Sequence, residues 1–203
     1  MSITVITREL PPPKVNKKEL LRYAGGSKND VTLTLMERVI EEYSSVFCYR
    51  VAYTVLDIKT ADNITDFGLF TVRSKSLATA LSGCGGAYLL AATVGGALDR
   101  AVRSLSITSP AASHMLDSFG SERVESLLDC FTEALESETG EPLTPRVSAG
   151  YGDIPLSAQG YFFKLLSPEG KIGLYLNDSL LMTPMKSVTA FIGIKNRGNN
   201  GKI

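Results

Sequence analysis

The sequence predicts an α+β fold: a single domain with a mixed or antiparallel sheet and several helices. Three observations carry this prediction. Some stretches repeat apolar residues at helical spacing, and others are short runs of β-branched and aromatic residues. These two kinds of segment do not alternate regularly, and several connections between them are short. Both features disfavour a doubly wound parallel sheet. No internal repeat and no linker divides the 203 residues. Residues 1–195 therefore read as one domain, and 196–203 as a polar, Gly/Asn-rich tail expected to be disordered.

Pro11, Pro12 and Pro13 form a stiff, extended lead-in. Asn16 is placed to cap a short helix over 17–23, which stops at Gly25 and Gly26. From 33 to 46 and just beyond, Leu35, Val39, Ile40, Tyr43, Val46 and Phe47 recur at helical spacing. Residues 48–58 (CYRVAYTVLDI) predict a strand, and 64–72 a second. Ser74 caps a helix expected over 74–81. The apolar run 87–94 (AYLLAATV) fits a buried strand.

Gly95 and Gly96 break that strand, and 97–105 resumes a helical pattern. Pro110 opens a long helix to about residue 136, with Gly120 a candidate kink. On it Val124, Leu127, Leu128, Phe131 and Leu135 form one apolar stripe; Glu122, Glu125, Asp129 and Glu133 form an acidic stripe expected to face solvent. Residues 144–150 are extended and 150–153 read as a turn. A helix is expected over 157–166, and strands over 171–176 and 187–194.

Composition narrows the function. Lys+Arg and Asp+Glu both number 21, giving a net charge of zero and no basic cluster. A nucleic-acid binder normally shows a basic excess, because phosphate contacts dominate affinity, so nucleic acid is set aside. The N-terminus lacks the pattern of a signal peptide. The longest apolar stretch is too short to span a bilayer, so no membrane role is expected. Cys48, Cys84 and Cys130 are odd in number and far apart, as expected of buried or free thiols in a reducing cytoplasm. With one histidine and no paired cysteines, no metal site is expected.

Three segments invite a chemical reading. The glycines at 83, 85 and 86 follow a helix and precede an apolar run, the wrong context for a dinucleotide loop. A packing or turn role is expected for them. His114 has no nameable partner for acid–base work. The segment 146–153 (RVSAGYGD) is more specific. Arg146 offers a planar fork for a carboxylate. Gly150 permits positive φ and close backbone approach. Tyr151 supplies an aromatic face and a hydroxyl, and such a face attracts a cationic sulfonium. These residues suit an α-amino acid attached to an aromatic base. They equally describe a tight turn carrying a surface arginine.

The Arg-x-x-x-Gly-Tyr pattern at 146–151 resembles the S-adenosylmethionine-binding signature of the activation domain of cobalamin-dependent methionine synthase. The following Gly152, Asp153, Ile154, Pro155 and Leu156 resemble the same loop in small stand-alone members. Residues 180–189 (LLMTPMKSVT) are similar to the family's Met-x-Pro-x-x-Ser-Val stretch. Residues 91–95 with Asp99, and the helix over 121–131, resemble further family segments. The resemblance runs from about residue 77 to 194. It implies a fold like that activation domain, and it implies S-adenosylmethionine as the ligand. By carry-over Arg146 grips the methionine carboxylate, Ser148 and Gly150 give main-chain contacts, and Tyr151 lines the pocket. Asp129 stands where the family has a glutamate near the ligand's amino group. No catalytic acid or base is implied, because methyl transfer needs alignment more than proton transfer.

The resemblance also implies partners. No Asp-x-His-x-x-Gly pattern surrounds His114, so cobalamin is expected from a separate methionine synthase module or other corrinoid protein. A flavodoxin-type donor would supply an electron. The chain then reads as an accessory methyltransferase subunit for reductive methylation of a partner's cobalamin. The alternatives are a docking or sensing module that binds the ligand without turnover, and an unrelated enzyme whose loop matches by chance.

Overall fold

The computed structural model describes residues 3–195; the expected disordered tail lies outside them. In chain order the strands and helices are β1 (Ile6–Glu9), α1 (Lys17–Tyr23), α2 (Asp30–Tyr43), β2 (Arg50–Asp57), β3 (Lys59–Ala61), β4 (Ile64–Asp66), β5 (Thr71–Arg73) and α3 (Lys75–Ala80). They continue with β6 (Cys84–Thr93), α4 (Ala97–Thr108), α5 (Pro110–Thr139), α6 (Gln159–Leu166), α7 (Pro168–Ile172), β7 (Tyr175–Leu176), β8 (Met182–Thr183) and β9 (Ser187–Lys195).

The central sheet has the order β1-β2-β6-β9, and every pairing in it is antiparallel. A three-stranded sheet β3-β4-β5 and a two-stranded β7-β8 are also antiparallel. Both faces of the central sheet are covered, which explains the unbroken apolar run of β6. Tyr88, Leu90 and Ala92 enter one core, whereas Ala87, Leu89 and Ala91 enter the other. The first core packs β2, β6 and β9 against α1, α2, α4 and α5. There the expected α5 stripe of Val124, Leu127, Leu128, Phe131 and Leu135 is buried. The second core packs α3, α6 and α7 around Phe67, Phe162 and Phe191.

The caps read from the sequence are present. Asn16 Oδ1 accepts from the Glu19 amide at 3.2 Å, and Ser74 Oγ accepts from the Leu77 amide at 3.1 Å. Two strand expectations are corrected. Residues 64–72 form two strands, β4 and β5, because Asp66 Oδ1 accepts from the Gly68 amide at 2.8 Å and turns the chain. Residues 171–176 begin in helix α7, with Pro168 in its first turn and Gly173 as a left-handed C-cap; only Tyr175–Leu176 is strand. Strand β1 carries no apolar alternation of its own and is defined by its pairing with β2.

Glu122 is a third correction. It is 1% exposed, not solvated, and Arg123 beside it is also 1% exposed. Arg123 donates to Glu122 Oε2 and Oε1 at 2.6 Å each, and to the carbonyls of Pro13 (2.6 Å) and Lys14 (3.0 Å). Glu122 Oε1 also accepts from the Asn16 amide at 2.8 Å and Ser126 Oγ at 2.7 Å. The proline-rich lead-in crosses α5 here and turns a helix's polar face into an interior.

Helix α5 runs unbroken through Gly120, whose role is packing. A Cβ there would strike Leu98 of α4 and come within 3.0 Å of the Lys186 side chain. Gly120→Ala is therefore expected to destabilise the fold by about 1–3 kcal/mol, read by urea denaturation. A neutral result would mean that Leu98 swings aside freely.

Candidate functional site

The segment before the predicted ligand loop extends the central sheet. Leu143 and Val147 make isolated antiparallel bridges to Ile194 and Phe191 of β9. Val147 and Ala149 pack into the second core. Arg146, one residue before Val147 and so on the opposite face of the extended chain, reaches α5 instead. Its Nη1 donates to Asp129 Oδ1 and its Nη2 to Glu125 Oε2, both at 2.6 Å. Glu125 and Asp129 lie four residues apart and so share one face of α5. The Arg146 side chain is 26% exposed. Burial alone disfavours the guanidinium charge, but the hydrogen bonds that Arg146 donates to Glu125 and Asp129 outweigh it and raise the pKa above its ordinary value.

Beyond Arg146 the chain closes a tight turn. The Tyr151 amide donates to the Ser148 carbonyl (3.1 Å), the Ile154 amide to the Tyr151 carbonyl (2.9 Å), and the Gly150 amide to the Ile154 carbonyl (3.0 Å). Gly150 has φ +85°, a conformation that side-chain-bearing residues rarely adopt. Tyr151 projects outward and is 64% exposed. Asp153 ties the turn to the start of α3. It accepts from Ser74 Oγ (2.5 Å) and from the amides of Lys75 (2.8 Å) and Ser76 (2.9 Å). Led by the Ser74 hydroxyl, these donors hold its carboxyl far below the usual carboxylate range.

That depression sets a pH dependence. The stability Asp153 contributes is fully present above its unfolded pKa of about 3.9 and is lost as pH falls below it. The wild type is thus expected to lose stability between roughly pH 4 and pH 2 more steeply than Asp153→Asn, by thermal melts across that range. Parallel curves would remove Asp153 as the anchor of the turn.

Of the residues predicted for the ligand, Arg146 and Asp129 touch. Ser148, Gly150 and Tyr151 form the adjoining turn. Glu125 enters the group as the second carboxylate on Arg146. Its spacing from Asp129 was visible in the sequence, but nothing there aimed a later arginine at both. Asp129 also borders a cleft of about 560 Å³ between residues 13–17 and the Ser126 and Cys130 side of α5.

The other segments of the resemblance brace one another. Asp99 Oδ2 accepts from the Met185 amide at 3.0 Å, and Ser187 Oγ lies 2.8 Å from Thr93 Oγ1. Lys186 Nζ donates to Asp117 and Ser121 at 2.9 Å each. These contacts fix the chain that leads into β9, the strand beside the Arg146 segment. His114 lies exposed on α5, and Gly83, with φ +74°, turns the chain into β6. Among the described residues no group of three or more His, Cys, Asp or Glu is arranged to hold a metal ion. No described helix is long and apolar enough to cross a membrane.

No family model and no curated protein matches the chain. Its architecture does match a solved one: the crystal structure of the MetH reactivation domain bound to AdoHcy, with a TM-score of 0.70. The alignment covers 94% of this chain and 78% of that one, at 12% sequence identity. At that identity the likeness is one of fold. The chain has the α+β fold of the MetH reactivation domain.

Proposed function

We propose that this protein binds S-adenosylmethionine at the Arg146 loop and serves reductive methylation of cobalamin held by a separate methionine synthase-like or corrinoid partner. The observation that carries the reading is the meeting of Arg146 with Glu125 and Asp129 beside the Gly150–Tyr151 turn. A guanidinium fork between two carboxylates suits both ends of an α-amino acid. The loop motif and a fold shared with a domain solved bound to AdoHcy support the same ligand.

In this reading Arg146 takes the ligand carboxylate and Asp129 the ammonium. The backbone at Ser148 and Gly150 lies against the ligand, and the exposed Tyr151 ring covers it. The protein's contribution is alignment of the methyl group with its acceptor, which can lower a barrier by roughly 7–11 kcal/mol in the best cases. The S–CH3 bond breaks with its electron pair left on sulfur. One electron from a flavodoxin-type donor balances the change from cob(II)alamin to methylcobalamin on the partner. Free thiols at Cys48, Cys84 and Cys130 fit work in a reducing cytoplasm.

The test is a reconstitution with methyl-labelled S-adenosylmethionine, a cob(II)alamin-loaded partner and a reductant. Label on cobalamin that depends on this protein is the expected result. Tight ligand binding with no transfer to any cobalamin partner would leave a sensing or docking module instead.

A further inference from the structure

We propose that helix α2 is the contact face of a symmetric homodimer, in which two copies of this chain lay α2 side by side and antiparallel about a two-fold axis at Thr34. The contact is separate from the ligand site. Ala111 at this face and Glu125 are fourteen residues apart on α5, about 21 Å along the helix.

Helix α2 is covered on one side only. Met36 and Val39 are buried in the first core, whereas Val31, Thr34, Arg38 and Glu41 recur three and four residues apart and are exposed. Asp30, Val31, Thr34 and Arg38 line a notch of about 460 Å³ together with Ser109 and Ala111, where α4 passes into α5. Val31 is 79% exposed, and Ile107, two residues before Ser109, is 84% exposed. No other large apolar side chain among the described residues is as exposed as these two. Isolated exposed apolar residues are ordinary, but here the two extremes lie at or beside one notch.

Charge identifies the occupant. Among the described residues Asp30 and Arg38 form no ion pair, with each other or with a neighbour. They stand four residues either side of Thr34, about 6 Å along the axis in each direction, too far apart to pair within one helix. In an antiparallel copy, residues equally distant from Thr34 on opposite sides meet. Thr34 then faces itself, and Asp30 faces the partner's Arg38 at both ends of the contact. Lys28 and Glu41, exposed and likewise without an ion pair among the described residues, extend the match one step outward. A second copy of this chain is thus complementary to the face at each charged position, and a two-fold contact makes every pair twice. The aliphatic stem of the partner's Arg38 covers Val31 while its head reaches Asp30. Antiparallel packing also sets each α2 N-terminus beside the other's C-terminus, which the helix dipoles favour.

The experiment is sedimentation velocity on the full chain over a concentration series up to about 1 mM, at low and high salt. The wild type is expected to form dimers that weaken as salt rises, and no larger species, because a two-fold contact closes on itself. Asp30→Arg or Arg38→Asp alone sets like charges opposite each other and weakens self-association roughly tenfold or more. Mixing these two variants restores a dimer, now of one copy of each, because both charge pairs are again opposite in sign. Thr34→Cys, a change at an exposed position on the axis, gives a disulfide-linked dimer on oxidation that the wild type does not give. Circular dichroism melts confirm that each variant is folded. A wild type that stays monomeric at the highest concentration overturns the proposal. So does a dimer that both reversals leave unchanged, or a pair of reversed variants that do not associate when mixed. Should a reversed variant unfold, the Thr34→Cys cross-link decides, and its absence overturns the proposal.

Discussion

Replacing Glu122 by alanine is expected to cost about 3–5 kcal/mol of stability, the penalty for stranding one member of a buried ion pair. For a domain of this size each kcal/mol lowers Tm by roughly 2–4 °C, so the melting point should fall by about 6–20 °C. The cause is local. Arg123 is 1% exposed and sends Nε and Nη2 to Glu122, Nη1 to the Pro13 carbonyl and Nη2 also to the Lys14 carbonyl. Burial opposes its charge, and the bonds to Glu122 outweigh that and raise its pKa. Without Glu122 the charge keeps its desolvation cost and loses its partner. The Asn16 amide, the N-cap residue of α1, loses its acceptor as well. Replacing both residues by apolar ones of similar volume should recover much of the loss, because it removes the buried charge along with its partner. Thermal melts of the single and double variants distinguish these cases. A single variant within about 1 kcal/mol of wild type would mean that water reaches Arg123 and the lead-in is loosely held.

The second large effect concerns the ligand. Arg146→Ala is expected to weaken S-adenosylmethionine binding by roughly 2–5 kcal/mol, more than tenfold in Kd. The same change should barely move Tm. Its two partners are 44% and 61% exposed, and pairs of that kind contribute about 0–1 kcal/mol each. A ligand effect without a stability effect is what separates a binding arginine from a structural one. Calorimetry and a melt on the same preparation read both. Unchanged affinity would move the ligand away from this loop. A large drop in Tm would make the carboxylate pair a structural clamp.

The fold class was legible because long periodic segments and caps are local properties. The stripe of α5, the Asn16 and Ser74 caps and the apolar run of β6 each depend on a few neighbouring residues. Elements that failed did so where one short signal overrode another. Asp66 and Gly68 turn the chain inside an otherwise β-branched run, and Pro168 with Gly173 sets a one-turn helix at the start of the expected strand 171–176. Strand β1 has only its partner to define it.

The grouping of residues at the candidate site was legible in part for a similar reason. A short loop can be read as a unit, so Arg146, Gly150 and Tyr151 stood out together. The reach of Arg146 to α5 could not be read, because residues 125 and 146 meet only through the bridges that lay 143–147 along β9. A helical wheel offers Glu122 only a core face or a solvent face, whereas the lead-in covers part of the polar side of α5. A helix's polar stripe thus divides into a buried pair at Glu122–Arg123 and an arginine-facing pair at Glu125–Asp129, and no spacing rule distinguishes them.

The most direct test of the central claim is amide chemical-shift mapping during titration of S-adenosylmethionine into the isotope-labelled protein. Saturable shifts centred on residues 146–154, with a second group on α5 at Glu125 and Asp129, are the expected result. Saturable shifts confined to another surface, or none at millimolar ligand, would contradict that claim.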